Sequence, residues 1–294
     1  MQRLRDWGWA CGFALALSAC GGGALDSGSV ANPAPAPAPA STVVVPYGAA
    51  PQQFGYLGLP PGAGPHPLVL VIHGGCWQRS IASAGFMNDF SGALRDAGWA
   101  VWNIEYRLPG DADYRWPDTF TDIAAALDFT PTLASRYPLD LSRLTVVGHS
   151  AGGHLALWAA SRNRLTSDSP LYSATPQLPQ RALGLAAITD LQRYPGEGRG
   201  CASAIPRLLG EQEPSESRLV QTSPLLMLPA AAQVSLITAS GDAIVPAAQA
   251  QRYRDAAEAA GASVTVSTVA GDHFTTIATS GSAFEAVLAA LRKP

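Results

Sequence analysis

From residue 42 onward, short β-branched apolar runs alternate with longer stretches of helical spacing. Leu68-Val69-Leu70-Val71-Ile72 is apolar without interruption, the profile of a strand buried on both faces, and it stops at His73-Gly74-Gly75. Leu144-Thr145-Val146-Val147 repeats that profile, and further strands are predicted over residues 99–106, 182–188, 233–238 and 263–269. Helical spacing covers residues 83–97, with Gly98 as a stop signal, and residues 119–137, with a cap at Asp118 or Thr119. It returns over residues 152–161, 247–260 and 282–291. Strand–helix alternation of this length predicts one α/β domain, a mostly parallel central sheet with helices on both faces. Residues 195–229, rich in Gly, Pro, Ser and Glu, break the rhythm and predict a small insertion over the C-terminal edge of the sheet, above the site.

The first 41 residues follow a different pattern. Arg3 and Arg5 precede an apolar stretch, residues 7–17, too short to span a bilayer. It ends in Leu17-Ser18-Ala19-Cys20. This resembles the bacterial lipoprotein signal, which implies removal of residues 1–19, lipidation of Cys20 and export to the cell envelope, at the outer membrane facing the periplasm. An ordinary secretory peptide cut after Ala19 is the alternative. The Gly/Ser and Ala-Pro stretch of residues 20–41 builds no core and reads as an extended tether, leaving residues 42–294 for the domain. Of four cysteines, Cys76 and Cys201 then stay in the mature domain, where a disulfide can persist but does not follow from sequence.

Composition narrows the partners. The 294 residues are 47% hydrophobic and 14% charged, with a formal net charge of −3. That supports a sizeable core, and with no Lys/Arg cluster it gives no footprint for nucleic acid. Five scattered histidines with no spaced Cys pair argue against a metal site. No phosphate-binding Gly-Lys-Ser/Thr motif and no dinucleotide fingerprint is present, so no cofactor is expected.

The sharpest chemical signal is Gly148-His149-Ser150-Ala151-Gly152, set between a predicted strand and a predicted helix. A nucleophile at such a tight turn needs small neighbours, and the helix N-terminus beside it favours negative charge. A serine hydroxyl needs a base oriented by a carboxylate, in chain order Ser, acid, His. His273 is the sole histidine C-terminal to His154, which makes it the base. Asp242, just after the 233–238 strand, is the preferred acid; Asp272 and Asp190 are the alternatives. The oxyanion donors are expected at the N–H of Ala151 and at the N–H of Gly75 or Cys76, with His73 and Gly74 bracing that loop. His149 and His154 read as packing or hydrogen-bonding residues. Trp77 and Trp116 are the tryptophans expected to line a pocket.

The set His73-Gly74-Gly75-Cys76-Trp77, Gly148-His149-Ser150-Ala151-Gly152-Gly153-His154 and Asp242-Ala243-Ile244-Val245-Pro246 before His273 resembles the α/β-hydrolase superfamily. Within it the chain is similar to the carboxylesterase, feruloyl-esterase-like and kynurenine formamidase group, over nearly all of residues 69–291 and including Glu105-Tyr106-Arg107 and Thr222-Ser223-Pro224. The resemblance implies a cofactor-independent serine hydrolase acting on a small-molecule ester. Two rival readings are an arylformamidase with the same residues and an inactive hydrolase fold used as a binding module. The loop departs from the formamidase pattern at Cys76, where that group carries tyrosine.

Overall fold

A computed structural model describes residues 42–293. The signal segment, Cys20 and the tether lie outside the described residues. Eight strands form one sheet: β1 (Thr42–Pro46), β2 (Phe54–Gly58), β3 (His66–Ile72), β4 (Ala100–Ile104), β5 (Leu139–His149), β6 (Arg181–Leu185), β7 (Gln233–Ala239) and β8 (Val264–Val269). Their spatial order is β1-β2-β4-β3-β5-β6-β7-β8. β1 and β2 run antiparallel to their neighbours, and every pairing from β4 to β8 is parallel. The C-terminal ends of β3 to β8 therefore share one edge, where crossover loops gather in sheets of this kind.

The helices are α1 (Asn88–Asp96), α2 (Asp118–Ala134), α3 (Ala151–Ala159), α4 (Tyr194–Glu197), α5 (Ile205–Leu209), α6 (Glu216–Leu219), α7 (Ala248–Ala259) and α8 (Gly281–Arg292). The uninterrupted apolar run in β3 serves two cores at once. Leu68, Leu70 and Ile72 pack with α2, α3 and α7, while Val69 and Val71 pack with Phe90 and Leu94 of α1 and Val287 and Leu291 of α8. The two-residue period of a strand requires this division. A mostly parallel sheet covered on both faces is the arrangement predicted from sequence.

Several boundaries differ from expectation for identifiable reasons. Residues 84–87 form a 3-10 turn ahead of α1, because the Ala84 N–H is taken by Glu105 Oε2 at 3.0 Å and its carbonyl by Asn103 Nδ2 at 2.7 Å. The strand predicted over 99–106 ends at Ile104, which releases Glu105 and Tyr106 into a side-chain network. α2 starts after Pro117 with no side-chain cap: Thr119 Oγ1 donates instead to the Arg107 carbonyl at 2.7 Å. The antiparallel strands β1 and β2 were not expected; Val43 and Val44 are half exposed at the sheet edge, where alternation carries little burial signal. The segment between β6 and β7 contains the short helices α4, α5 and α6, with no long element of its own.

Candidate active site

Ser150 sits between the end of β5 and the start of α3 with φ 56° and ψ −118°. A non-glycine residue in this region costs on the order of 1–3 kcal/mol and persists only where the surroundings fix it. Its N–H donates to the Leu185 carbonyl at 2.8 Å, and its carbonyl accepts the His154 N–H at 3.0 Å. The flanking glycines are obligatory: a Cβ on Gly148 would lie 2.0 Å from the Gly152 carbonyl oxygen, and one on Gly152 would lie 2.3 Å from that of His73. Small neighbours were expected at this turn, and backbone contact is why.

At the ends of β7 and β8, His273 and Asp242 meet. His273 Nδ1 donates to Asp242 Oδ2 at 2.7 Å, and both side chains are nearly buried. Asp242 Oδ1 accepts the N–H groups of Ile244 and Val245, each at 2.8 Å. Burial pushes the Asp242 carboxyl up, but the hydrogen bond and charge of His273 and the two backbone donors outweigh it and hold the group below its usual range. The alternative acids turn elsewhere. Asp272 Oδ1 accepts the N–H groups of Phe274 and Thr275, and Asp190 Oδ1 those of Gln192 and Arg193. No hydrogen bond joins the Ser150 hydroxyl to His273 among the described residues; such contacts are commonly long without substrate and tighten when it binds. Instead His149 lies between the loops, its ring centroid 4.6 Å from that of His273 and its Nε2–H donating to the His273 carbonyl at 3.1 Å. Burial, followed by the charge of His273, drives the His149 pKa down to about 3, so the ring stays a neutral donor. His149 thus hydrogen-bonds, as one of the two roles expected for it, but its partner, the His273 carbonyl 124 residues away, was not legible in the sequence.

The loop after β3 lies against the serine, since a Cβ on Gly74 would fall 3.3 Å from Ser150 Cβ and 2.8 Å from the His149 carbonyl oxygen. Gly75, Cys76 and Trp77 all have positive φ, at 98°, 52° and 52°. No hydrogen bond within the described residues occupies the N–H of Gly75, Cys76 or Ala151. Beneath the loop, Glu105 Oε1 is 3.1 Å from His73 Nε2 and 2.9 Å from Arg79 Nη1, and Oε2 accepts the Ala84 N–H. Burial raises the Glu105 pKa, but His73, Arg79 and the Ala84 N–H together bring it down to about 2. Arg79 also pairs with Asp111 at 2.8 Å, and Tyr106 Oη donates to the His73 carbonyl at 2.7 Å. Glu105, Arg79, Asp111 and Tyr106 therefore hold the loop; Glu105 and Tyr106 belong to a recognised motif, but nothing in it gave them this task. Trp77 is fully buried, edge-on to His154 at 5.2 Å, and so packs in the core instead of lining a pocket. Trp116 is covered by the Arg218 guanidinium, 4.0 Å from its ring centroid.

Cys76 is joined to Cys201 of the β6–β7 segment, with Cα atoms 4.7 Å apart and a sequence separation of 125. Closing a chain loop of that size contributes about 4–5 kcal/mol in the chain-entropy account. The sequence left this pairing open, and the tertiary structure makes it. Two residues earlier, the Arg199 N–H donates to the Ile244 carbonyl at 3.0 Å. A cleft of about 360 Å³ opens beside this segment between Leu191, Ile205, Leu219 and the polar Gln192, Gln212 and Glu213. No cluster of potential metal ligands occurs among the described residues, and no helix among them is long and apolar enough to cross a membrane.

A strained serine at a strand–helix turn, a His–Asp pair on the same sheet edge and a glycine-rich loop whose N–H groups have no partner among the described residues lie together on an α/β-hydrolase fold. The chain belongs to the BD-FAE family, whose model matches residues 57–256. It is 29% identical over 119 residues to the esterase LipC of Mycobacterium tuberculosis, covering 40% of this chain and 27% of that protein. It is 28% identical over 242 residues to the kynurenine formamidase of Danio rerio, covering 79% of this chain and 74% of that one. The chain thus spans well under half of the esterase. Among solved structures, a truncated carbohydrate esterase from gut microbiota superimposes with a TM-score of 0.71 at 22% identity, covering 87% of this chain and 97% of that one.

Proposed function

We propose that the protein is a serine carboxylic ester hydrolase working through an acyl-enzyme. The observation that carries this reading is the 2.7 Å His273–Asp242 hydrogen bond on the sheet edge where Ser150 sits in a strained turn. Ser150 Oγ attacks the ester carbonyl carbon while His273 Nε2 takes its proton, and Asp242 stabilises the resulting imidazolium. The oxygen that becomes negative is met by the N–H of Ala151 and that of Gly75 or Cys76, groups with no competing partner. His273 then gives its proton to the departing alkoxide oxygen, releasing the alcohol. A water molecule, deprotonated by His273, resolves the acyl-serine to the carboxylic acid. The names of the esterase relatives support ester over other acyl substrates. We further propose that lipidated Cys20 and the Ala-Pro tether of residues 20–41 hold the 42–294 domain at the cell envelope.

Ser150→Ala is expected to lower hydrolysis of p-nitrophenyl acetate by about 10⁴-fold or more and to abolish labelling by a fluorophosphonate. Unchanged turnover in that variant sinks the reading, and a wild-type protein that takes no label favours the inactive binding module. One observation favours a second substrate class, the similarity to kynurenine formamidase across 79% of this chain. Turnover of an aryl formamide exceeding that of acetate esters on the same preparation would select it.

A further inference from the structure

We propose that residues 199–201 act as a positioning strap for the reaction, with Cys201 setting the oxyanion-donating loop against the loop that carries Asp242. The inference rests on the ester-hydrolase reading and goes beyond it to residues outside the reacting set. The strap has one anchor on each side of the site. Cys201 is bonded through sulfur to Cys76, whose own N–H is one of the donors in question. Arg199 N–H donates to the Ile244 carbonyl at 3.0 Å, and Ile244 N–H in turn donates to Asp242 Oδ1 at 2.8 Å. Between the two anchors lie two peptide links, a span of at most about 7 Å. A spacer this short cannot let one loop drift without pulling on the other.

Two further observations show that the anchor points are held. Cys201 is fully buried, and its carbonyl accepts the Ala204 N–H at 3.0 Å, which fixes its backbone. The Tyr194 hydroxyl lies 3.1 Å from the Arg199 carbonyl oxygen and 3.2 Å from that of Ile244, donating to one or the other across the junction. On the far side, Cys76 and Trp77 are successive non-glycine residues at φ 52°. Such a backbone relaxes unless tethered. Trp77 is tethered by the core and Cys76 by the disulfide, so breaking the bond frees the donor-bearing residue.

The test compares wild type with Cys201→Ser, Cys76→Ser and Tyr194→Phe, reading kcat and KM for p-nitrophenyl acetate, thermal midpoint and the rate of fluorophosphonate labelling. The cysteine variants are expected to lose about 10- to 100-fold in kcat with little change in KM, and to label at Ser150 in proportion more slowly but to completion. Tyr194→Phe, with both cysteines in place, is expected to lose about 2- to 10-fold in kcat. If a cysteine variant does not fold, wild type reduced with a phosphine, with thiols counted, supplies the same comparison. Unchanged kcat with only a lowered thermal midpoint overturns the proposal, leaving a structural staple. Absence of labelling in oxidised wild type overturns the ester-hydrolase reading instead, so the two failures are distinguishable.

Discussion

The two flanks of the candidate site are built by different means. On one side, Asp242 is oriented by N–H groups two and three residues ahead, and His273 by Asp242, 31 residues away in sequence. That arm is assembled by local turn chemistry at the ends of neighbouring strands. On the other side, the 73–77 loop has three consecutive residues at positive φ and is held by partners far along the chain: Glu105 just after β4, Asp111 further on by way of Arg79, and Cys201 across 125 residues. The first arm fixes the Asp242 carboxylate within one turn and takes its long-range support only at backbone carbonyls, those of Ile244 and His273. A remotely held loop inherits every displacement of its supports, so substitutions away from the chemistry should act mainly through it.

The largest effect that sharpens this contrast falls on the local arm. Asp242→Asn should keep the fold but lower kcat by about 10⁴-fold, because the imidazole loses its orienting anion. Asp272→Asn, beside the base but turned away from it, should leave kcat within about twofold; a large loss there would mean the acid is misassigned. On the remote arm, Glu105→Gln leaves Arg79 short of a buried partner. A destabilisation of about 3–5 kcal/mol in urea unfolding is expected, with kcat down by about 10-fold or more. Equal activity in this variant would show that the loop holds itself.

The remaining test, the pH dependence of stability, acts on the fold and leaves the chemistry aside. Burial lowers the pKa of His149 from its ordinary 6.5 to about 3 and that of His154 from 6.5 to about 4. The unfolded chain therefore binds protons near pH 6.5 that the folded chain refuses. Their contribution is complete above pH 6.5 and is lost as pH falls toward 4, by up to about 1.4 kcal/mol per pH unit per histidine. Glu105, held near 2, adds to the loss only below its ordinary 4.5. Urea midpoints measured from pH 7.5 to pH 4 check the slope, and His154→Gln should flatten it; a slope unchanged in that variant would remove His154 from the account.

Much of the frame was legible in the chain itself. The β3 run, apolar at every position, required burial on both faces, and Gly148 and Gly152 around Ser150 required a turn with no room for a Cβ. Chain order and histidine count singled out His273, while Asp242 was preferred over Asp272 and Asp190 for its position after a strand. These are short-range signals, written within a few residues by strand periodicity and turn sterics. Only the tertiary structure decided what depends on separation: that Glu105 supports His73, that His149 braces the His273 loop, that Trp77 is core, and that Cys76 pairs with Cys201. Side chains tens of residues apart carry no local mark of one another, and only the parallel sheet, by bringing its strand ends to one edge, makes them neighbours.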